Sequence, residues 1–285
     1  MSKELLGQLF SKEQIELFGV LSSEDAPLLR PEILQRKGEL SYRSVILFCV
    51  PYAGAAPNNF SLYAASKDYH LYMEELFSRL LPRFSAAFPQ GRFLGFADHS
   101  PIDERRAALL CGLGLQGKHG LLITEKYASY VFIGEILSDL PAETFGDQAP
   151  KIPRSCSLCG ACLAACPTGF LRGEGECLSA ITQKKGALSP EEEALLRKCG
   201  TAWGCDACQE ACPYVKKMRK EGVVSPIPFF LENRISVLTY DRVAEMPEEE
   251  FRQRAFAWRG KKTILRNLEI LESDGGPEAA HENKK

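Results

Sequence analysis

The sequence predicts an α/β or α+β domain over residues 1–150, a cysteine-rich module over 151–225 and a short C-terminal segment over 226–285. Three observations carry this division. In the first half, short runs of β-forming apolar residues alternate with stretches of helical periodicity. Nine of the eleven cysteines fall between Cys156 and Cys212, with only Cys49 and Cys111 before them. The chain closes on a polar sequence, SDGGPEAAHENKK, which reads as a disordered tail.

Residues 44–50 (SVILFCV) form an apolar run that stops at Pro51 and predicts a buried strand. Residues 68–84 place Leu71, Tyr72, Leu76, Leu80 and Leu81 at helical spacing, with Asp68 as the N-cap. Ser100-Pro101 reads as an N-cap followed by Pro at the first helical position. The helix it opens runs to Cys111 and stops at Gly112. Residues 121–123 and 130–133 are further strands, which together favour a layered sheet covered by helices.

Apolar residues make up 45% of the 285 residues and charged residues 25%, as in a globular protein with a sizeable core. The formal net charge of −2 points to no nucleic-acid or membrane partner by bulk charge. No apolar run is long enough to span a bilayer. The opening MSKELLGQLFSKEQIELF lacks the unbroken apolar core of a signal peptide, so the expected location is cytoplasmic. In that compartment cysteines serve metals or catalysis more often than disulfides.

Cys156, Cys159, Cys162 and Cys166, followed by Pro167, reproduce the C-x2-C-x2-C-x3-C-P run of bacterial ferredoxins. Three thiolates from one tight loop reach three irons of a [4Fe–4S] cluster, and the fourth cysteine serves a second cluster. A partial copy follows at Cys205, Cys208 and Cys212-Pro213, which suggests pseudo-twofold symmetry. Crossing the copies gives one cluster Cys156, Cys159, Cys162 and Cys212. The other takes Cys166, Cys205, Cys208 and one further thiol, which spacing leaves open between Cys177 and Cys199. Zinc also binds Cys-x2-Cys pairs, but zinc knuckles need neither the third nor the fourth cysteine before Pro. Cys199 stands before Gly200, at the end of a segment that Ser189-Pro190-Glu191-Glu192 opens as a capping box.

The segments CSLCGACLAACPTGFL, CLSAIT and WGCDACQEACPY resemble the epoxyqueuosine reductase family, as do SKDYH, ADHSPIDERRAALLCGLGLQGKHGLLI, ASYVFIGEILSDLP and EEEFRQRAFAWRGKKTILRN. The similarity covers residues 40–270. It implies an α+β fold, with a nitroreductase-like cobalamin-binding domain followed by a double-cluster ferredoxin-like domain. It also implies reduction of epoxyqueuosine to queuosine in tRNA, with two [4Fe–4S] clusters, cobalamin between domain and clusters, and a flavodoxin- or ferredoxin-like electron donor. Within the family the cysteine opening C-[IL]-S is a ligand, which selects Cys177. Three departures stand out. The first forty residues match poorly, Leu115 replaces a Trp, and the chain is expected to lack the HEAT-like helices that help hold tRNA.

By the resemblance Asp98 is the catalytic acid, and Ser61, Asp98, Leu122, Ile133 and Ser179 line the cobalamin. An acid beside a carbon–oxygen bond needs a raised pKa, and Phe93, Leu94 and Phe96 could supply the apolar setting. The plain alternative makes Asp98 a turn cap. Lys118 and His119 follow a glycine-rich stretch suited to close ligand approach or to an ordinary turn. Arg105 is an anion contact or a surface arginine, and Tyr69 and His70 are pocket or core residues. Residues 68–73 lack the glycine of D-x-H-x-x-G, so no histidine is expected on cobalt. Arg252, Arg254, Arg259, Lys261, Lys262 and Arg266, with Trp258 among them, could meet RNA phosphates or form a solvated helix face. Two rival functions fit the same motifs: a paralogue reducing another small molecule with these cofactors, and an electron carrier without cobalamin. The first 150 residues argue against the carrier, which needs only the cluster module.

Overall fold

A computed structural model describes residues 2–146 and 149–273. The polar tail from residue 274 lies outside the described residues. The chain divides into two compact units, each gathered from three stretches. Unit 1 comprises residues 1–53, 70–159 and 217–227, and unit 2 comprises 54–69, 160–216 and 228–285.

Unit 1 is built on an antiparallel sheet. Its strands are β1 (Phe18–Ser22), β2 (Ser44–Pro51), β3 (Phe93–Ala97) and β6 (Val131–Ser138), in the order β1-β2-β6-β3. A two-stranded ribbon, β4 (Leu115–Gln116) with β5 (Leu122–Ile123), stands apart. β2 is buried at every position, as its unbroken apolar run predicts. Its two faces serve two layers. Val45, Leu47 and Cys49 join a core with Ile33 and Leu34 of α2 (Pro31–Lys37) and with Ala107 and Ala108 of α4 (Glu104–Leu110). On the opposite face Phe48 meets Phe10 of α1 (Ser2–Ser11) at 5.2 Å and Phe77 of α3 (Tyr69–Ala87) at 6.1 Å. A fully buried Phe is worth roughly 1.5–3 kcal/mol, so this aromatic layer is a main support of the sheet. The arrangement is α+β with helices on both faces of one sheet. Cys49 and Cys111 lie buried in the apolar core, where burial pushes both thiols up to about 12 and leaves them inert.

The fourth helix of this unit starts later than Ser100-Pro101 suggests. α4 begins at Glu104, and Asp103 is its N-cap, accepting from the Arg106 N–H at 3.0 Å. Ser100 is fully buried and its hydroxyl is engaged with Glu135, a tertiary partner that competes with capping. The helix does end as expected, with Cys111 as C-cap and Gly112 at φ +71°.

Unit 2 consists of short helices. They are α5 (Ala161–Ala165), α6 (Leu178–Thr182), α7 (Pro190–Cys199), α8 (Ala207–Glu210), α10 (Tyr240–Ala244), α11 (Glu248–Arg252) and α12 (Lys261–Glu272); α9 (Pro213–Lys220) begins here and ends in unit 1. α7 carries the predicted capping box, with Ser189 and Glu192 bonded reciprocally and Gly200 closing it in the left-handed region. One core cluster is small: Leu178, Ile181, Leu188, Leu196 and Ile270. Polar staples supplement it. Asn267, fully buried on α12, donates to Thr182 O at 2.7 Å and to Ala202 O at 2.8 Å.

Candidate functional site

In unit 2 the cysteines sit at helix ends and on the faces of short helices. Gly160 takes φ +77°, turns the chain, and lets α5 carry Cys162 inward. Cys166 closes that helix. Burial opposes ionisation of its thiol, but N–H groups of Leu171, Thr168 and Phe170 and the Thr168 hydroxyl outweigh it and hold Cys166 below the ordinary thiol value. Cys177 is the N-cap of α6, Cys208 lies on α8, and buried Cys212 precedes Pro213 at the start of α9.

Several of these thiols share one another's fields. Burial, then Cys205, Asp206, Cys177 and Cys162, push Cys208 up to about 12. Burial, then Asp206, Cys177 and Cys199, push Cys205 up to about 11 against one N–H from Ala207. Thiols that suppress one another's ionisation are a donor set that a cationic centre would satisfy, because a coordinating thiol is deprotonated outright. The residues therefore fit an iron–sulfur cluster. Both open choices for the eighth ligand approach Cys205, but Cys177 also acts on Cys208. Cys156 and Cys159 belong to unit 1, where the Cys156 N–H donates to Gln116 O at 3.0 Å. Among the described residues no three Cys, His, Asp or Glu side chains are grouped to hold a single metal ion.

The loop carrying Cys205 is locked from the other strand of chain in unit 2. Ser61 N–H donates to Trp203 O at 2.8 Å, and the Ser61 hydroxyl donates to Asp206 at 2.6 Å. Leu62 N–H donates to the second Asp206 oxygen at 2.7 Å. Gly204 sits between at φ +68°, where an added Cβ would come within 2.5 Å of Ser61 Cβ. Sequence reading did not single out Asp206. Its only signal is an acid between two cluster cysteines.

Unit 1 holds the other predicted residues. Asp98 follows β3 at φ +61°, a conformation that is uncommon for a residue with a side chain. Its side chain is 60% exposed, and Oδ2 lies 3.4 Å from His70 Nε2. Glu104 acts on it through space: burial, then Asp98, push Glu104 up to about 7, against Arg105 and Arg30. His119 is buried, its Nδ1 accepts from Leu121 N–H at 3.2 Å, and its Nε2 has no hydrogen-bond partner among the described residues. Lys118 is exposed, and Arg105 reaches Gly120 O at 3.4 Å.

The residues assigned to cobalamin divide. Leu122 lies in the apolar core and Ser61 is bound to Asp206. Ile133 and Val131 are half-buried at the start of β6, while the second half of the strand is fully buried, leaving an apolar ledge that a flat macrocycle could cover. Ser179 is half-buried and accepts from Gln183 at 3.1 Å. Ser61 and Ser179 are in unit 2, and Asp98, Leu122 and Ile133 in unit 1.

The basic stretch does not form one face. Arg254 is buried, pairing with Glu250 at 2.7 Å and donating to Asn233 O. Lys261 donates to Ala244 O and Met246 O, and Arg266 to Lys184 O and Gly186 O. Arg252 pairs with Glu248, and Arg259 stacks on Trp258 at 3.8 Å.

Residues 155–215 match a family described as a 4Fe-4S double cluster binding domain, so the chain is a double-cluster iron–sulfur protein. It is 32% identical over 227 residues to the epoxyqueuosine reductase of Listeria monocytogenes, covering 76% of this chain and 58% of that one. Against the epoxyqueuosine reductase of Gloeobacter violaceus it is 32% identical over 221 residues, covering 73% and 68%. A solved epoxyqueuosine reductase, bound to an epoxyqueuosine-modified tRNA-Tyr stem loop, superposes with a TM-score of 0.74 at 24% identity, over 95% of this chain and 81% of that one. The chain belongs to the epoxyqueuosine reductase family. It spans little more than half the length of the first of these relatives. Among the described residues no helix is long and apolar enough to cross a membrane.

Proposed function

We propose that this chain reduces epoxyqueuosine to queuosine in tRNA, using two [4Fe–4S] clusters and cobalamin. The reading rests on one observation above the rest. A chain of this family sets an acid, Asp98, in a left-handed turn at the end of β3, with His70 beside its carboxylate. Removing an epoxide oxygen as water breaks both carbon–oxygen bonds to that oxygen, forms a carbon–carbon double bond, and consumes two electrons and two protons. Bound cobalamin and the clusters would supply low-potential electrons at that centre. Asp98 then gives a proton to the departing oxygen, and His70 orients the Asp98 carboxyl through the 3.4 Å contact.

The proposed ligands are Cys156, Cys159, Cys162 and Cys212 for one cluster and Cys166, Cys177, Cys205 and Cys208 for the other. The proximity of Cys177 to both Cys205 and Cys208 supports its choice over Cys199. Ile133, Ser179, Leu122, Ser61 and Asp98 are the proposed cobalamin contacts, with the ledge at Val131 and Ile133 the best supported part. By function, residues 1–150 would form the cobalamin-binding module, 151–225 the cluster module and 226–285 a helical segment. The electron donor is expected to be flavodoxin- or ferredoxin-like, and tRNA is the partner to which the stem-loop complex of the relative points.

Anaerobic reconstitution with iron, sulfide and cobalamin, followed by assay on tRNA bearing epoxyqueuosine, tests the reading. Conversion to queuosine is the expected result. Inactivity with every cofactor loaded and reduced would transfer the activity to a different small molecule. Failure to take up any corrinoid would leave an electron carrier.

A further inference from the structure

The strap of chain that leads into the first cysteines lies open to water. From Lys151 to Cys159 every residue is exposed except Cys156, which is half-buried. Ile152 is 89% exposed and Leu158 61%, the two highest values for large apolar residues among the described residues. Apolar residues scattered singly over a surface are ordinary. Here two stand within seven residues of each other, and the second adjoins Cys159, a thiol that is itself exposed.

The strap is open but not loose. Lys151 N–H donates to Leu110 O at 2.7 Å, at the end of α4. Gln116 of β4 donates its N–H to Arg154 O at 2.7 Å and accepts from Cys156 N–H at 3.0 Å, which joins the strap to the β4–β5 ribbon by a parallel bridge at Ser155. All of these residues belong to unit 1. Leu158 keeps φ +54°, a conformation that costs a residue with a side chain roughly 1–3 kcal/mol, while the residue stays largely in water. Local backbone strain of this kind gathers at functional sites.

The strap and the hairpin it joins carry charge of one sign. No acid occurs from residue 148 to 173 or from residue 105 to 124. Lys151 and Arg154 are exposed, and neither has an ion pair among the described residues. Lys151 lies across Gly112, where an added Cβ would come within 2.3 Å of its Cδ. Lys118, also exposed, stands two residues beyond Gln116. Apolar side chains flanked by unpaired cations suit a protein partner with an acidic surface. RNA phosphates would use the cations and leave Ile152 and Leu158 in water. A second copy of this chain, meeting the first through the same patch, would bring like charges face to face.

We propose that the strap from Lys151 to Cys159 is where the chain docks its reductant, a small one-electron carrier with an acidic surface. The proposal rests on the reading that Cys159 is a cluster ligand. Lys151, Arg154 and Lys118 steer the carrier, and Ile152 and Leu158 give it a small apolar contact beside the exposed Cys159. In each encounter the reduced carrier loses one electron and the chain gains it at the centre that Cys159 ligates. Two encounters deliver the two electrons that epoxide reduction consumes. A contact this small is weak and short-lived, as suits a carrier that must leave after each electron.

Stopped-flow reduction of the iron-loaded chain by reduced flavodoxin, an acidic carrier, reads the docking without corrinoid or tRNA. In the wild type, bleaching of the cluster absorbance should slow as salt rises. Lys151→Glu combined with Arg154→Glu should lower the second-order rate constant at low salt at least about tenfold, the low end of electrostatic steering, and should flatten the salt dependence. Ile152→Ser, at a residue almost wholly in water, should slow reduction at high salt as well. Photoreduced deazaflavin, a small neutral reductant, should reduce all forms at one rate. A wild-type rate with flavodoxin in the charge-reversed variant would overturn the proposal. So would equal slowing with both reductants, which puts the damage at the cluster. Loss of tRNA affinity with the flavodoxin rate intact would give the strap to RNA, and a wild-type dimer that the reversal splits would make it a self-contact; either result overturns the proposal. If the charge-reversed variant takes up no iron, Ile152→Ser decides: slowing with flavodoxin alone upholds the docking site, and an unchanged rate overturns it. Inactivity on epoxyqueuosine tRNA leaves these rates untouched and sinks the substrate reading by itself. Full iron in Cys159→Ala sinks the ligand reading and this proposal with it.

Discussion

Unit 1 and unit 2 solve the stability problem with different materials. Unit 1 packs a four-stranded sheet between an aliphatic layer and an aromatic layer, and its central strand is buried at every residue. Unit 2 has helices of four to twelve residues, buried side chains that include Trp203, Phe230, Phe251 and Phe256, and thiols that raise one another's pKa. Short helices are marginal alone and gain their order from what they pack against. The contrast teaches that the first region is held by apolar burial alone, while the second adds to its apolar core a thiol set through which metal binding would become folding energy.

Stripping the iron should therefore separate the two regions most sharply. Chelation under reducing conditions should expose the amides of α5, α6 and α8 to hydrogen exchange while β2 and β6 stay protected. Equal deprotection of both would break the comparison. Next in size is the loss of one cluster. The intact chain should bind about eight irons, the sum of two four-iron clusters. Cys177→Ala should lose or degrade one cluster and Cys199→Ala should keep nearly all iron. The reverse pattern in iron and sulfide analysis assigns the eighth ligand to Cys199.

Asp98→Asn sharpens the comparison from the other side, because it alters unit 1 chemistry alone. Turnover should fall by roughly 10²–10⁴, the range for general acid catalysis, with clusters and corrinoid still bound. Normal turnover would make Asp98 a turn residue. A stability measurement addresses the same unit. Glu135 ionises near 4.5 in the unfolded chain and near 8 in the fold. Between those values the unfolded state binds fewer protons, so stability is greatest below the window and falls as pH rises through it. The loss should be on the order of a few kcal/mol. Glu135→Gln should flatten the urea midpoint against pH, and an unchanged slope would place the charge elsewhere. The smallest effect concerns RNA. With Arg254, Lys261 and Arg266 bound to protein groups, only weak phosphate contact remains. Changing Arg252 and Lys262 together to Ala should reduce the salt slope of tRNA binding by at most about two, since each phosphate contact contributes about 0.9. A larger drop would restore the stretch as a main binding surface.

Much of this was legible in the sequence where the signal is local. SVILFCV forms β2, Ser189 and Glu192 form the capping box, and the cysteine spacing marks the cluster module. The α3 helix begins at Tyr69, next to the residue expected to cap it. What escaped is tertiary. Ser100-Pro101 resembles a helix start, but the serine serves Glu135, thirty-five residues away in sequence, and Asp103 does the capping. The run Arg252 to Arg266 reads as a basic stretch that meets RNA phosphates or forms a solvated helix face, yet the chain turns within it and three of its cations bond to carbonyl oxygens. Glu135 did carry a signal: a lone acid within the β-forming run VFIGEIL, on the same strand face as Ile133 and Leu137.

One small contact has a bearing on how the chain is made. At the end of β2, Ala53 O accepts from Ser225 N–H at 2.8 Å, and Pro51 O accepts from the Ser225 hydroxyl at 2.6 Å. Those carbonyls leave the ribosome more than 170 residues before their donor. A nascent chain can lay down most of the sheet early, but the rim of its central strand stays unsealed until the whole cysteine module has emerged. Synthesis order thus places the whole cysteine module inside the interval when this edge of unit 1 is still open.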